Sequence, residues 1–416
     1  MPLLLRLFTA PAFAEIYTES VREPIAIDAL VAEAMRSNPE ITAARSHWQG
    51  TTKVPQQVAT LDDPQIYVQE FTVGSPAPAS GYETSDFYYT GFGFSQDIPG
   101  PGKLKLRAQR AQKDAEYAHA NLESVERRVE EKVRETGLNL FYLSRVRDLL
   151  ERTRADLQTV AQGAEQQYRT GMAQQQDVLK AQLATTTTMK DSEMNRGDLA
   201  AAEASLKALL GREQDAPDIA IADVSPTSFN LAETQLGDAA EAGSADLKMA
   251  RAMLAGSKDA LDLARHDYWP DFSLGYQYDK TGPGFRDYYM LTVGAKIPLY
   301  FWRKQTPAVQ QAAEEKQSAE SQLRATRLSA VSDLRSAAVE ARSQEHIITL
   351  YHDGLIPQAE ATLSSATAAY RTGKVDFQTL LSAVIDLLNL REGYYRAIAD
   401  HEIAVARVKQ IIGDQS

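Results

Sequence analysis

The sequence predicts a mainly α-helical fold that also includes a membrane β-barrel. Two stretches, 102–216 and 308–416, are rich in helix-forming residues and contain a single proline, Pro357. Aromatic residues are instead concentrated in two short windows, 65–102 and 268–302. The chain also resembles itself at a period near 200 residues. Together these observations predict long helices and short pairs of aromatic strands, each present in two copies.

Composition excludes several classes of function. The chain has a formal net charge of -12, whereas a nucleic-acid binder needs a surplus of Lys and Arg to neutralise phosphates. It has no cysteine, which excludes disulfides, thiolate metal sites, cysteine nucleophiles and a lipid anchor on cysteine. No run approaches the roughly 18 apolar residues of a membrane-spanning helix. If the chain spans a membrane, it must therefore do so with strands.

The internal duplication is clearest in four residues that follow a long helical stretch. Tyr168-Arg169-Thr170-Gly171 recurs as Tyr370-Arg371-Thr372-Gly373, at an offset of 202 residues. Each repeat is predicted to contain a helix, two strands, a very long helix, a tight turn and a long helix. The predicted organisation is repeat 1 over 15–211, a linker over 212–235 and repeat 2 over 236–413.

Four strands are predicted, at about 65–73, 87–98, 271–279 and 288–298. Apolar residues alternate with polar residues or glycine, although Glu70 interrupts the apolar face of the first strand. Stretches of about ten such residues with aromatics near their ends are typical of an outer-membrane barrel, and a soluble sheet with one buried face is the alternative. The run Tyr300, Phe301 and Trp302 before two cationic residues favours the barrel, because it resembles an interfacial aromatic belt.

Four strands are too few to close a barrel, since the smallest membrane barrels need about eight. An open sheet edge in lipid would leave backbone groups without hydrogen bonds, at several kcal/mol each. The chain is therefore expected to oligomerise and share one barrel, and a trimer would supply twelve strands.

The long helices are predicted at about 103–168, 173–210, 307–370 and 375–412, with a kink near Gly354 in the third. The first would be about 100 Å long, at about 1.5 Å per residue. Its apolar residues recur near the heptad spacing of coiled coils. A plain coiled-coil hairpin would explain the helices but not the strand pairs.

No enzymatic, cofactor-binding or metal-binding motif is recognisable. The segment Gly100-Pro101-Gly102-Lys103 lacks the upstream glycine and the following Ser or Thr of a phosphate loop. The six histidines are scattered and form no two-histidine helical pair with a carboxylate at ligand spacing. The sequence therefore predicts a protein that is not an enzyme and that uses neither cofactor nor metal.

The first residues resemble the end of a secretory signal peptide. A short apolar run is followed by Ala12-Phe13-Ala14, which fits an Ala-x-Ala cleavage site. Residues 1–14 are accordingly predicted to be a signal peptide or its remnant, with a mature start at Glu15. A signal, a chain without cysteine and membrane strands together indicate a Gram-negative outer membrane.

These features resemble the TolC-like outer-membrane efflux protein family. The resemblance covers nearly the whole chain after residue 25 and rests on the duplication, the strand pairs, the segment Ser37-Asn38-Pro39-Glu40 and the repeated Tyr-Arg-Thr-Gly motif. The segment Gln96 to Arg107 looks most like the heavy-metal-efflux branch. The family resemblance implies a trimer in which a twelve-stranded barrel continues into a periplasmic tunnel of twelve helices.

The resemblance also implies partners and a passive role. The channel would dock on a periplasmic adaptor (membrane fusion) protein and a proton-driven inner-membrane efflux pump, and would contact outer-membrane lipid. It would release heavy-metal cations or small toxic compounds that the pump delivers. Two alternatives stay open: a type I secretion channel, which shares this architecture, and a periplasmic coiled-coil adaptor.

The resemblance places the gate and the adaptor contact at the helix tips. Family members often carry acidic rings there, but the position of Asp177 in repeat 1 is Thr379 in repeat 2. A closed gate is therefore expected to depend on Tyr and Arg links, with Lys180 partly neutralising Asp177. The expected tip residues are Tyr168, Arg169, Thr170, Gly171, Asp177, Tyr370, Arg371, Thr372, Gly373 and Asp376.

Overall fold

We describe the fold from a computed structural model, which describes residues 24–72, 87–171, 173–282 and 284–413. The predicted signal peptide at 1–14, the predicted mature start at Glu15 and the last residue of the first predicted strand, Val73, lie outside these residues.

The two halves of the chain share one general order, in which helices are followed by two strands and then by long helices. The first half consists of α1 (Ile27–Ser37), α2 (Pro39–Thr51), α3 (Val54–Val58), β1 (Gln65–Thr72), β2 (Tyr88–Ile98), α4 (Lys103–Arg169) and α5 (Gln175–Leu209). The second consists of α6 (Leu236–Gly243), α7 (Ala245–His266), β3 (Asp271–Thr281), β4 (Tyr288–Lys296), α8 (Gln305–Leu350), α9 (Ile356–Arg371) and α10 (Phe377–Ile412). This order confirms the predicted duplicated unit.

The four strands form one antiparallel sheet in the order β1-β2-β3-β4. Within each half a hairpin joins two strands, and β2 pairs with β3 across the two halves, from Tyr89 opposite Thr281 to Ile98 opposite Phe272. All four strands connect to helices at the same end of the sheet, which we call the helix end. The opposite end, where Thr72 pairs with Tyr88, is the hairpin end.

The helix α4 contains 67 residues and packs along both halves of the chain. Its predicted heptad positions are buried, including Val129 and Val133, which are 1% and 0% exposed. They pack against Leu30 of α1 and Leu206 of α5. A helix of this length would be marginal on its own, so it is the burial of this apolar stripe that stabilises it.

The third long helix is not continuous. The sequence predicted one helix over about 307–370 with a kink, and the structure has α8 and α9 separated by one π-helical turn at Tyr351–Leu355. Pro357 follows this turn and has no backbone N–H, so the regular pattern of hydrogen bonds cannot run through it. The extra residue of the π turn absorbs this interruption.

The segment between the two halves is held against the helices. Its Thr227 accepts a 2.7 Å hydrogen bond through its carbonyl oxygen from the ring of His401, which is fully buried on α10. The other ring nitrogen of His401 lies 2.9 Å from the carbonyl oxygen of Ala341 on α8. Glu402 in turn accepts a 2.6 Å bond from the backbone N–H of Thr227. The segment therefore lies fixed across two helices.

Candidate helix tips and membrane sheet

The two helix hairpins reverse direction through the same backbone turn. Gly171 and Gly373 have φ angles of +73° and +67°, which L side chains adopt only at a cost. Each donates a 3.0 Å backbone hydrogen bond to the carbonyl oxygen of the Tyr three residues before it, Tyr168 or Tyr370. Thr170 and Thr372 likewise each place a hydroxyl 3.0 Å from a carbonyl of the last helical turn. The repeated motif therefore encodes a helix end.

The two carboxylates predicted at the tips cap the returning helices in different ways. Asp177 is the third residue of α5, where its carboxylate accepts a 3.3 Å bond from the backbone N–H of Gln174 in a capping box. Asp376 stands directly before α10 and accepts bonds of 2.9 and 2.5 Å from the N–H and hydroxyl of Thr379. The hydrogen bond from the Thr379 side chain lowers the pKa of Asp376. Both carboxylates therefore have local structural roles.

The second tip is attached to the first hairpin by a buried aromatic residue. Phe377, the first residue of α10, is 1% exposed and packs with Leu157 and Ala164 of α4 and Ala181 of α5. The matching position in repeat 1 is Gln175, which is exposed. Sequence reasoning did not single out Phe377, although a large apolar residue after a helix cap was a usable signal.

The structure brings some of the predicted tip residues together. Burial, and then the charge of Asp177, raises the pKa of Tyr370, so these two residues of different repeats are neighbours. The Tyr370 ring also packs edge-on against Phe377 at 5.9 Å between centroids. Its hydroxyl is buried and has no hydrogen-bond partner within the part of the chain that the structure describes.

The two arginines and Lys180 do not form the predicted links inside one chain. Arg169 pairs with Glu165 of its own helix at 2.6 Å, and both are largely exposed. Among the described residues Arg371 has no ion pair. Contrary to the prediction from the sequence, Asp177 does not pair with Lys180. Asp177 instead turns back to the helix cap, and the charge of Lys180 acts on Asp376 of the other tip.

The sheet separates its side chains into two faces. One face, which we call the apolar face, includes Phe272, Leu274, Tyr276 and Tyr278, all 37–41% exposed in β3. The polar face of the same strand is more buried, with Gln277 and Asp279 at 6% and 0% exposure. The alternation predicted for β3 is therefore present.

Exposure on the apolar face continues into the outer strands. It reaches 85% at Ile66 in β1 and 73% at Val293 in β4. Glu70, which interrupts this face in β1, lies opposite Thr90 of β2 in the strand register. Both residues are on the apolar face, two residues from the hairpin end. Large apolar side chains this exposed need a cover that one chain does not supply.

The predicted aromatic belt follows β4 directly. Tyr300, Phe301 and Trp302 are 70%, 48% and 56% exposed and pack against one another edge-on at 5.2–6.1 Å between centroids. They lie between the helix end of the sheet and α8, as an interfacial belt would.

One buried cation at the same junction was not predicted from the sequence. The side chain of Lys103, the first residue of α4, is 4% exposed and pairs with Asp271 of β3 at 2.8 Å. The carboxylate of Asp271 also accepts a 2.7 Å bond from the backbone N–H of Gly100. The segment Gly100-Pro101-Gly102-Lys103 therefore joins the sheet to the helices, which spacing alone could not reveal.

The described residues contain no cluster of three or more His, Asp or Glu side chains arranged to hold a metal ion. Over the same residues no helix combines the length and apolar character that crossing a bilayer requires.

Comparison with known proteins identifies the family of this arrangement. A family model described as outer membrane efflux protein matches residues 30–212 and 236–414, which is most of the chain. The chain belongs to the outer membrane efflux protein family. This outer membrane efflux protein is accordingly an efflux channel of the outer membrane with a helical periplasmic part, and its family is one of channels rather than enzymes. A comparison with curated protein sequences finds no match.

Solved structures share the fold of this outer membrane efflux protein over nearly its whole length. CusC is 17% identical with a TM-score of 0.80, and the match covers 99% of each chain. CmeC from Campylobacter jejuni is 13% identical with a TM-score of 0.80, covering 99% of this chain and 94% of that one. VceC from Vibrio cholerae is 16% identical with a TM-score of 0.78, covering 93% and 96%.

Proposed function

We propose that three copies of this chain form one channel, with a shared twelve-stranded barrel. The observation that carries the proposal is the open four-stranded sheet, whose edge strands β1 and β4 also expose large apolar side chains. In lipid, each unpaired backbone group at these edges would cost several kcal/mol. Pairing β4 of one chain with β1 of the next removes every edge. The apolar face then contacts lipid, and the polar face lines the lumen.

In this proposal the channel is the passive exit duct of a tripartite efflux system. An inner-membrane pump, proton-driven, delivers heavy-metal cations or small toxic compounds, and a periplasmic adaptor joins pump and channel. The length of α4, at about 1.5 Å per residue, supports this, because it places the tips about 100 Å from the sheet. Belt residues Tyr300, Phe301 and Trp302 would mark the periplasmic interface of the bilayer.

The helix tips act as the gate and the adaptor contact. Three copies of each tip meet around the threefold axis, so like charges repel unless other groups offset them. Since Asp177 and Asp376 are occupied as helix caps, the closed state rests on Tyr168, Tyr370 and the arginines beside them. Replacing Tyr370 and Arg371 together should raise single-channel conductance without any adaptor, whereas Asp177→Asn should change it less.

The trimer is tested by light scattering and by scanning the two faces with arginine. The purified protein should have three times the chain mass in detergent. Leu274→Arg on the apolar face should destabilise insertion by about 2–4 kcal/mol, whereas its neighbour Ser273→Arg on the polar face should insert and alter conductance. A monomer that keeps its strands, or equal tolerance at the two positions, would contradict the barrel. A cross-linker placed at the helix tips should capture the adaptor and pump, and the identity of the captured proteins distinguishes an efflux system from a type I secretion system.

A further inference from the structure

Five aromatic side chains form a continuous cluster at the hairpin end of the sheet, which we call the mouth cluster. The Phe71 and Tyr89 rings stack at 5.4 Å and 11°. Tyr89 packs edge-on against Tyr288 at 5.9 Å, and Phe87 packs edge-on against Phe285 at 5.2 Å. Phe87 joins the two groups, because its ring lies 6.1 Å from Tyr89 and 6.2 Å from Phe71.

The strand register places the mouth cluster on the polar face. Phe71 lies opposite Tyr89, Tyr89 lies opposite Thr281, and Tyr288 lies opposite Asp279, a residue of the polar face. The rings are not fully packed, since Phe71 is 43% and Phe285 is 48% exposed. In the proposed trimer this face lines the lumen, so three such clusters surround the outer mouth of the barrel.

A buried carboxylate lies next to the mouth cluster. Asp279 is 0% exposed, and one of its oxygens accepts a 2.6 Å hydrogen bond from the Gln277 side chain. The other oxygen is buried with no hydrogen-bond partner among the described residues. The side chain occupies space that a Cβ at Gly91 would fill, and the residue lies opposite Tyr288 in the strand register.

No cation of the described chain neutralises this carboxylate. Lys280 pairs instead with Asp287 at 2.8 Å, and no ion pair joins Arg286 of the neighbouring turn to Asp279 within the described ranges. A buried carboxylate oxygen without a partner favours any positive charge that comes near it. Aromatic faces attract the same kind of charge.

We propose that the mouth cluster, with Asp279 beside it, is a subsite for organic cations that carry aromatic or other bulky apolar groups. Aromatic faces supply apolar contact and cation–π attraction, and the carboxylate supplies the compensating charge. A hydrated divalent metal ion fits less well, because it needs several strong oxygen, nitrogen or sulfur ligands and the rings add only two neutral tyrosine hydroxyls. This inference rests on the proposed channel, and it names organic cations as the class of substrate that the mouth of the channel would bind.

The test is block of single-channel current by two ions of the same shape and opposite charge, tetraphenylphosphonium and tetraphenylborate. Wild-type channels should be blocked at least about fivefold more tightly by the cation. Replacing Tyr89 and Tyr288 together with Leu should weaken block by the cation about fivefold or more. The matched control replaces Tyr276 and Tyr289, a stacked pair on the apolar face, with Leu and should leave block unchanged.

Asp279→Asn tests the contribution of charge separately from that of shape. It should reduce the difference in block between tetraphenylphosphonium and tetraphenylborate, because it removes the carboxylate and leaves the aromatic rings in place. Equal block of wild type by both ions, or equal loss in the two double variants, overturns the subsite while the channel itself stands. Absence of any channel current from the wild-type protein overturns the proposed function, and this inference with it. If Asp279→Asn does not assemble, the two Tyr pairs and the two ions still decide the question.

Discussion

The two helix tips share one turn and differ in what holds that turn in place. Both end a helix with Tyr-Arg-Thr-Gly, and both glycines have a left-handed backbone. The tip of repeat 1 is exposed around Gln175, whereas the tip of repeat 2 buries Phe377 against the first hairpin. The glycine turn is repeated because both chain reversals need a left-handed backbone. The packing differs because only the second tip places a buried side chain, Phe377, against the other hairpin.

This difference indicates which tip resists movement. Moving the second hairpin away from the first requires withdrawing Phe377 from contact with Leu157, Ala164 and Ala181. Bending only the end of the first hairpin around Gln175 breaks no comparable contact, because Gln175 is exposed. If the gate opens by displacement of the second hairpin, Phe377 sets much of the free energy that holds it closed.

The largest expected effect comes from Phe377→Ala. Truncating a fully buried Phe should cost about 3–5 kcal/mol, so the second hairpin should detach near its tip and the channel should open more often. Hydrogen exchange of 366–384 and single-channel conductance measure the two consequences. Gln175→Ala at the matching position should change neither. A Phe377→Ala channel with wild-type exchange and conductance would show that the tips do not differ in this way.

The second prediction tests what the tips share. Gly171→Val and Gly373→Val should each cost about 1–2 kcal/mol, because the left-handed backbone disfavours a side chain, although both glycines have open space around them. The double variant should insert its barrel and lose efflux. Gly163→Val, in the interior of α4 and also in open space, is the control and should keep efflux. Wild-type efflux in the double variant would remove the turns from the mechanism.

The caps should show a smaller, pH-dependent difference. Because the pKa of Asp376 is lowered, its ionised form stabilises the start of α10 at any pH above the ordinary pKa range of an aspartate side chain. This stabilisation should be lost as the pH falls through the lowered pKa, and exchange of the first amides of α10 should accelerate there. Asp376→Asn should remove that pH dependence. Asp177→Asn should change the start of α5 less, because its single cap bond is longer at 3.3 Å.

The smallest effect is expected from Tyr370→Phe. The buried hydroxyl has no partner within the described chain, so removing it should leave the free energy of unfolding nearly unchanged. Tyr168→Phe, at an exposed ring, is the matched control. A loss of about 1 kcal/mol or more at Tyr370 alone would show that Tyr370 contributes to the closed gate through its hydroxyl, bonded to another chain, rather than through its ring.

Much of the architecture was predictable because it depends on local periodicity. The strands follow from two-residue alternation, as in Phe272 to Tyr278, and α4 follows from heptad spacing through Val129 and Val133. The repeated glycine turn follows from a conformation that few other residues adopt. Membership of the family followed from the order of these elements, which the family match confirms.

The sequence by itself thus determined the elements, their duplication and the two faces of each strand, since these depend on residues close together in the chain. Tertiary structure alone decided which distant residues meet. It paired Lys103 with Asp271, seated Phe377 on the first hairpin, assigned Asp177 to a helix cap and collected the mouth cluster from three strands and a turn. Such contacts depend on the register between strands and on packing angles between helices, and neither is written in the spacing of residues along one element.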